Sequence, residues 1–103
     1  MDDLLVNDQV LGHPLVTAEV SLGSVAQRAR VLHRLNTLPQ IAPAALFEVS
    51  HLIETQRLWG EGVGYVDVAL LASVMLRPDT QLWTRDKRLR IIAQRFDIAL
   101  PLA

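Results

Sequence analysis

The chain contains no cysteine, few aromatic residues and no long apolar run. Without cysteine, disulfide bonds, thiolate metal sites and cysteine nucleophiles are all excluded. The longest apolar stretch, near residues 68–76, is too short to span a bilayer. The amino end also lacks the basic segment followed by an apolar segment that marks a secretory signal. We therefore expect a cytoplasmic protein that does not associate with membranes.

Length and charge indicate one ordinary globular domain. The chain has 103 residues, half of them hydrophobic, which is enough for a single core. Its formal net charge of −1 creates no overall field that would attract nucleic acid or membranes. Locally, however, five cations and one acid lie between residues 85 and 95. A solvated helix face is the usual explanation of such a cluster.

Short apolar segments alternate with helical patterns along the chain. We predict strands at 9–12, 81–84 and 98–102, and a short edge strand at 40–42. Helices are predicted from Pro14 to Gly23, from an N-cap at Ser24, from Pro43, after a glycine-rich hinge at 60–64, and after Asp86. This alternation is typical of βαβ units, so we predict an α/β fold with a mostly parallel sheet flanked by helices.

In such sheets, ligands bind beyond the carboxyl ends of the strands, where the helices begin. Three carboxylates are expected near this edge of the sheet. Asp86 comes directly after a predicted strand, Glu19 lies in the helix after the first strand, and Asp67 lies one turn into the helix after the hinge. Each also has a purely structural explanation. Asp67 and Asp86 suit helix amino ends, where such groups contribute from a few tenths to about 1 kcal/mol, and Glu19 could simply face water.

The chemistry changes if the three carboxylates meet. Clustered carboxylates repel and raise one another's pKa unless a cation lies between them. Mg²⁺ or Mn²⁺ prefers oxygen ligands, can activate a bound water and can neutralise charge on a phosphodiester. The neighbouring cations would then contact phosphates. The three histidines lack close ligand spacing, so we predict no zinc site.

Two carboxyl-terminal segments resemble a known family. GVGYVDVALLASVML (62–76) and LWTRDKRL (82–89) are similar to the second half of PIN-domain ribonucleases, in particular the VapC-type toxins of bacterial toxin–antitoxin pairs. Upstream, VLGHPLVTAEVSLGS (10–24) resembles the helix that carries the second acid of that family. The resemblance extends over nearly the whole chain from about Leu4.

The resemblance implies a single PIN-like domain over residues 1–103, a three-layer fold whose central sheet is flanked by helices. It implies Mg²⁺- or Mn²⁺-dependent endonucleolytic cleavage of RNA, a small antitoxin as partner, and a toxin that is often a homodimer. Carried over residue by residue, it assigns three of the family's four acidic metal ligands, a supporting hydroxyl group and an RNA-binding basic cluster. The metal ligands are Glu19, Asp67 and Asp86, the hydroxyl group is that of Thr84, and the basic cluster consists of Arg85, Lys87 and Arg88.

The amino end departs from the family pattern. Members typically open with a central strand bearing the first acid, in a motif like V-D-T-S, and MDDLLVND contains no match. We do not assign that role to Asp2 or Asp3. Loss of a central strand would leave unpaired backbone groups, each costing about 1–3 kcal/mol when buried. The resemblance therefore predicts an amino-terminally incomplete domain with weak or no nuclease activity and marginal stability.

Three explanations of this gap stay open: a true start upstream, a truncated or decayed copy, or a gap filled by another subunit or a partner. Three functions also stay open. The first is a PIN-type ribonuclease, and the second is an inactive remnant of the same fold that binds an antitoxin or another protein. The third is a small α/β scaffold in which the acids serve only as helix caps.

Overall fold

The structure is a computed structural model that describes residues 4–6, 10–23, 26–84 and 86–100. Three short strands and five helices make up the described chain. In chain order they are β1 (Leu4–Val6), β2 (Val10–Leu11), α1 (Pro14–Leu22), α2 (Arg28–Thr37), α3 (Leu46–Gln56), α4 (Tyr65–Met75), β3 (Gln81–Trp83) and α5 (Lys87–Arg95). The predicted α/β class is confirmed, although the helices greatly outweigh the sheet.

The sheet differs from the prediction in direction and membership. Its order is β2-β1-β3, and β1 runs antiparallel to both neighbours, with Leu5 opposite Leu11 and also opposite Leu82. The expectation of a mostly parallel sheet is therefore wrong for these strands. Only three residues separate β1 from β2, and a parallel connection needs a dozen or more, so the pair can form only as a hairpin.

Parallel pairing occurs at two isolated bridges, Gly12 with Gln40 and Leu82 with Ala99. The expected edge strand at 40–42 and final strand at 98–102 thus contribute one bridge each, and residues 101 and 102 lie outside the described chain. Conversely, β1 was not predicted at all. Its apolar part is only three residues long, too short for a visible alternation of inward and outward side chains.

Two helices begin later than predicted. Helix α3 begins at Leu46 rather than Pro43, because the Ala44 N–H donates to Ser73 Oγ of α4 at 2.9 Å and the Ala45 N–H donates to the Glu48 carboxylate at 2.7 Å. Helix α2 begins at Arg28 after Gln27, whose φ of 59° is left-handed. The proposed N-cap at Ser24 lies outside the described residues.

Helix α4 forms the centre of the core. Every residue from Val68 to Val74 is buried, and α3 and β3 both pack against this helix. The surrounding apolar side chains come from β2, β3, three other helices and the connecting segments. They include Leu11, Val16, Ile41, Val49, Leu52, Leu58, Leu82, Leu89 and Ile92. The middle of α4 is thus buried, and the helix reaches the surface at its two ends, with Tyr65 in the first turn and Met75 in the last.

No helix in the described part of the chain is long and apolar enough to cross a bilayer.

Candidate active site

Asp67 lies in the first turn of α4, as the sequence predicted, and it is half-buried. Its Oδ2 accepts a hydrogen bond of 3.1 Å from the N–H of Gly64, the residue that caps the helix. The carboxylate therefore binds one of the free N–H groups at the positive end of the helix, where a negative charge is favoured. This contact fixes the position of the carboxylate at the point where the glycine-rich segment enters α4.

Asp86 is the N-cap of α5, also as predicted. Its Oδ1 accepts the Leu89 N–H at 3.0 Å, and its own N–H donates to Thr84 Oγ1 at 3.1 Å. Thr84 is buried, with 1% of its surface exposed, whereas Asp86 is exposed. A buried hydroxyl thus holds the backbone of Asp86 at the carboxyl end of β3. The supporting role assigned to Thr84 is consistent with this contact but stays a prediction.

Glu19 lies on the exposed side of α1. Among the described residues, no three carboxylate or imidazole groups lie together in a cluster that could hold a metal ion. The expected convergence of Glu19, Asp67 and Asp86 is therefore not seen among them. Their assignment as metal ligands stays a prediction that rests on the family pattern.

The basic cluster beside Asp86 is only partly described, since Arg85 lies outside the described residues. Lys87 and Arg88 open α5 and are exposed. Arg88 lies against the backbone of Gly62, because a Cβ atom built on that glycine would approach Arg88 Cδ to 2.8 Å and Nη1 more closely still. The sequence missed this contact, since nothing in the local pattern relates residues 26 positions apart.

A second arrangement that the sequence missed connects α1 to α4. His13 caps α1, with Nδ1 accepting the Leu15 N–H at 3.1 Å, so the neutral ring carries its proton on Nε2. Nε2 then donates to Ser73 Oγ at 3.0 Å. Ser73 Oγ in turn donates to the Ala69 carbonyl at 2.7 Å and accepts the Ala44 N–H.

His13 is 2% exposed, and burial lowers its pKa from 6.5. The neutral ring also suits its contacts, because protonation would remove the acceptor that caps α1. A histidine before proline at a predicted helix start and a serine within an apolar helix are the sequence signals that could have indicated such a pair. Their arrangement holds α1, which carries Glu19, against α4.

An apolar cavity of about 420 Å³ lies between α3 and the carboxyl-terminal half of α4. None of the predicted site residues lines it. The lining residues are Phe47, Glu48, His51, Leu52, Ala72, Met75 and Leu76. This cavity is therefore separate from the helix amino ends that carry Asp67 and Asp86.

Comparison with known proteins decides the family. Over 98 residues the chain is 45% identical to Ribonuclease VapC32 of Mycobacterium tuberculosis, in the strains CDC 1551 / Oshkosh and ATCC 25618 / H37Rv. The match covers 95% of this chain and 79% of the relative. The chain belongs to the VapC family of ribonucleases.

The VapC family assignment confirms the resemblance found in the sequence. No protein-family model matches the chain, and no solved structure matches it. The assignment therefore rests on the identity with the VapC ribonuclease across nearly all of this chain, including the segments that carry Glu19, Asp67 and Asp86.

Proposed function

We propose that the chain is a VapC-type toxin that cleaves RNA phosphodiesters with the help of a carboxylate-bound divalent ion. The observation that carries this proposal is the 45% identity over 95% of the chain with a protein named a ribonuclease. The PIN fold of the family, with its three layers, is part of the same proposal. RNA is the proposed substrate, and a cognate antitoxin and a second copy of the chain are the proposed protein partners.

Asp67 and Asp86 are the proposed principal ligands. Both lie at helix amino ends, and Arg88 in the first turn of α5 contacts Gly62, three residues before α4 begins. This donor set suits Mg²⁺ or Mn²⁺, because Mg²⁺ is usually held by one or two carboxylates together with water and substrate phosphate. When bound, such an ion would lower the pKa of a water molecule and neutralise charge on the phosphodiester.

The remaining residues have supporting roles in this proposal. Glu19 completes the acidic set or orients the attacking water, and Thr84 holds the Asp86 backbone. Lys87 and Arg85 bind the phosphates that flank the cleaved bond, since cations provide the sequence-independent part of RNA binding.

The test is cleavage of a fluorophore- and quencher-labelled RNA of random sequence by the purified chain, with Mg²⁺ and with EDTA. We expect Mg²⁺-dependent cleavage that falls by about 100-fold or more in Asp67→Asn, since even groups behind metal ligands cost 10–100-fold. Asn can still accept the Gly64 N–H, so the helix cap is retained in this variant.

Asp97→Asn is the matched control. Asp97 is exposed, lies beyond the carboxyl end of α5 and has a left-handed φ of 59° that Asn also tolerates. This variant should cleave like the wild type. Equal cleavage by the wild type and Asp67→Asn, or full cleavage in EDTA, would contradict the proposal. A wild type that is inactive but binds an antitoxin would favour an inactive remnant.

A further inference from the structure

The glycine-rich segment 60–64 contacts α5 at two places. Arg88, in the first turn of α5, lies over Gly62, and Arg95 in the last turn forms an ion pair of 3.3 Å with Glu61. Arg88 and Arg95 are seven residues apart, so they share one face of the helix. Leu89 and Ile92 enter the core from the adjoining side of the helix, with Ile92 one turn after Arg88. One basic face of α5 therefore lies along the segment that leads into α4.

The contact at Gly62 depends on the missing side chain. A Cβ atom there would lie 2.8 Å from Arg88 Cδ, a distance that Cβ atoms essentially never show, so the Arg88 side chain would have to shift. Gly62 also has a φ of +79°, in the left-handed region that other residues rarely adopt. Two separate properties of glycine are thus used at this position, its conformational freedom and its small size.

Gly60 uses only the first of these properties. Its φ of +76° is nearly the same, but a Cβ atom on it would meet no atom of the described chain within 4 Å. Substitution of Gly60 therefore measures the cost of the backbone conformation alone. The difference between the two glycines isolates the contact with Arg88.

The position of this contact relates it to the two acids. Gly62 is five residues before Asp67, and the intervening Gly64 N–H binds the Asp67 carboxylate. Arg88 is two residues after Asp86, in the turn that the Asp86 carboxylate caps. The contact therefore connects the segment whose Gly64 N–H binds the Asp67 carboxylate to the turn that the Asp86 carboxylate caps.

We propose that Gly62 and Arg88 are positioning residues that set the separation of the Asp67 and Asp86 carboxylates for one divalent ion. In this role Arg88 acts through its contact with the 60–64 backbone, in place of the direct RNA contact expected from the family pattern. The inference rests on the proposed metal-dependent function of these two acids.

The experiment compares Gly60→Ala, Gly62→Ala, Arg88→Ala and the double variant Gly62→Ala/Arg88→Ala with the wild type. Three quantities are measured: the Mg²⁺ concentration for half-maximal RNA cleavage, the rise in melting temperature caused by Mg²⁺ in the absence of RNA, and KM for the RNA. The second of these does not depend on activity.

We expect Gly62→Ala and Arg88→Ala to raise the half-maximal Mg²⁺ concentration about 10-fold, as loss of a group that orients metal ligands does. Both should reduce the Mg²⁺-induced rise in melting temperature, with KM for RNA nearly unchanged. Gly60→Ala should lower the melting temperature without altering the Mg²⁺ dependence. In the Arg88→Ala background, Gly62→Ala should lower the melting temperature no more than Gly60→Ala does in the wild type.

Two results would overturn the inference while leaving the proposed function intact. One is an Arg88→Ala variant with a raised KM and a normal Mg²⁺ dependence, which would assign Arg88 to RNA binding. The other is equal behaviour of Gly62→Ala and Gly60→Ala in all three measurements. If Gly62→Ala does not fold, Arg88→Ala still tests the positioning role, because this substitution introduces no backbone strain. A wild type that neither binds Mg²⁺ nor cleaves RNA would overturn the proposed function first.

Discussion

Helices α4 and α5 each have an aspartate at the amino end that accepts a backbone N–H, Asp67 in the first turn of α4 and Asp86 at the N-cap of α5. The rest of the protein nevertheless holds the two helices differently. In α4, seven consecutive residues from Val68 to Val74 are buried, so packing on all sides fixes the helix. In α5 three residues are buried, and the remaining surface carries charged side chains. The comparison indicates that Asp67 is placed by the core, whereas Asp86 is placed by its cap and by contacts on one face.

The largest expected effect comes from removing packing around α4. Leu70 is fully buried, so Leu70→Ala should lower the free energy of unfolding by about 2–5 kcal/mol through lost contacts and a cavity. Ile91→Ala is the matched change on α5, where the side chain is 55% exposed. It should stay within about 0.5 kcal/mol of the wild type. Urea unfolding followed by circular dichroism measures both, and similar costs would invalidate the comparison.

A smaller effect separates the two roles of Asp86. Asp86→Ala removes the N-cap and should cost about 1 kcal/mol, which corresponds to roughly 4–8 °C in melting temperature for a domain of this size. Asp86→Asn can still accept the Leu89 N–H and should melt close to the wild type. If Asp86 is a metal ligand, both variants should lose RNA cleavage. Full cleavage by Asp86→Asn would leave the cap as the sole role of this residue.

The smallest effect concerns the contact that joins α4 to α1. Burial lowers the pKa of His13 in the folded state below 6.5, so the unfolded chain binds the proton more readily. The stability from the neutral His13 is therefore present above pH 6.5 and is lost as the pH falls from 6.5 through the folded-state pKa.

His13→Asn tests this point, because Asn can cap α1 but carries no titrating ring. Between pH 7.5 and pH 5.5, the melting temperature of the wild type should fall further than that of the variant. The other titrating groups are common to both proteins and cancel in the difference. Parallel pH profiles would show that His13 contributes no proton linkage to folding.

Several elements were predictable from local chemistry. Pro14 and Gly23 define the ends of α1, the run after Gly64 indicated α4, and Asp86 after a short apolar segment indicated the start of α5. Each signal acts within a few residues: proline favours the first turn of a helix, glycine favours its end, and an aspartate side chain binds the first free N–H groups.

The errors came from contacts between distant parts of the chain. The start of α3 moves to Leu46 because Ser73, from α4, accepts the Ala44 N–H. The place of β1 between β2 and β3 follows from pairing with residues nearly 80 positions away. No local pattern contains that information.

The same division holds for the candidate site. The sequence by itself determined the residue types, the helix positions of Glu19, Asp67 and Asp86, and membership of the VapC family, because caps, apolar runs and motifs are properties of short segments. Tertiary structure alone decided that Arg88 lies on Gly62 and that His13 bonds Ser73. Such contacts depend on how packed helices meet in space, and many different residue pairs at those positions are compatible with the same local pattern.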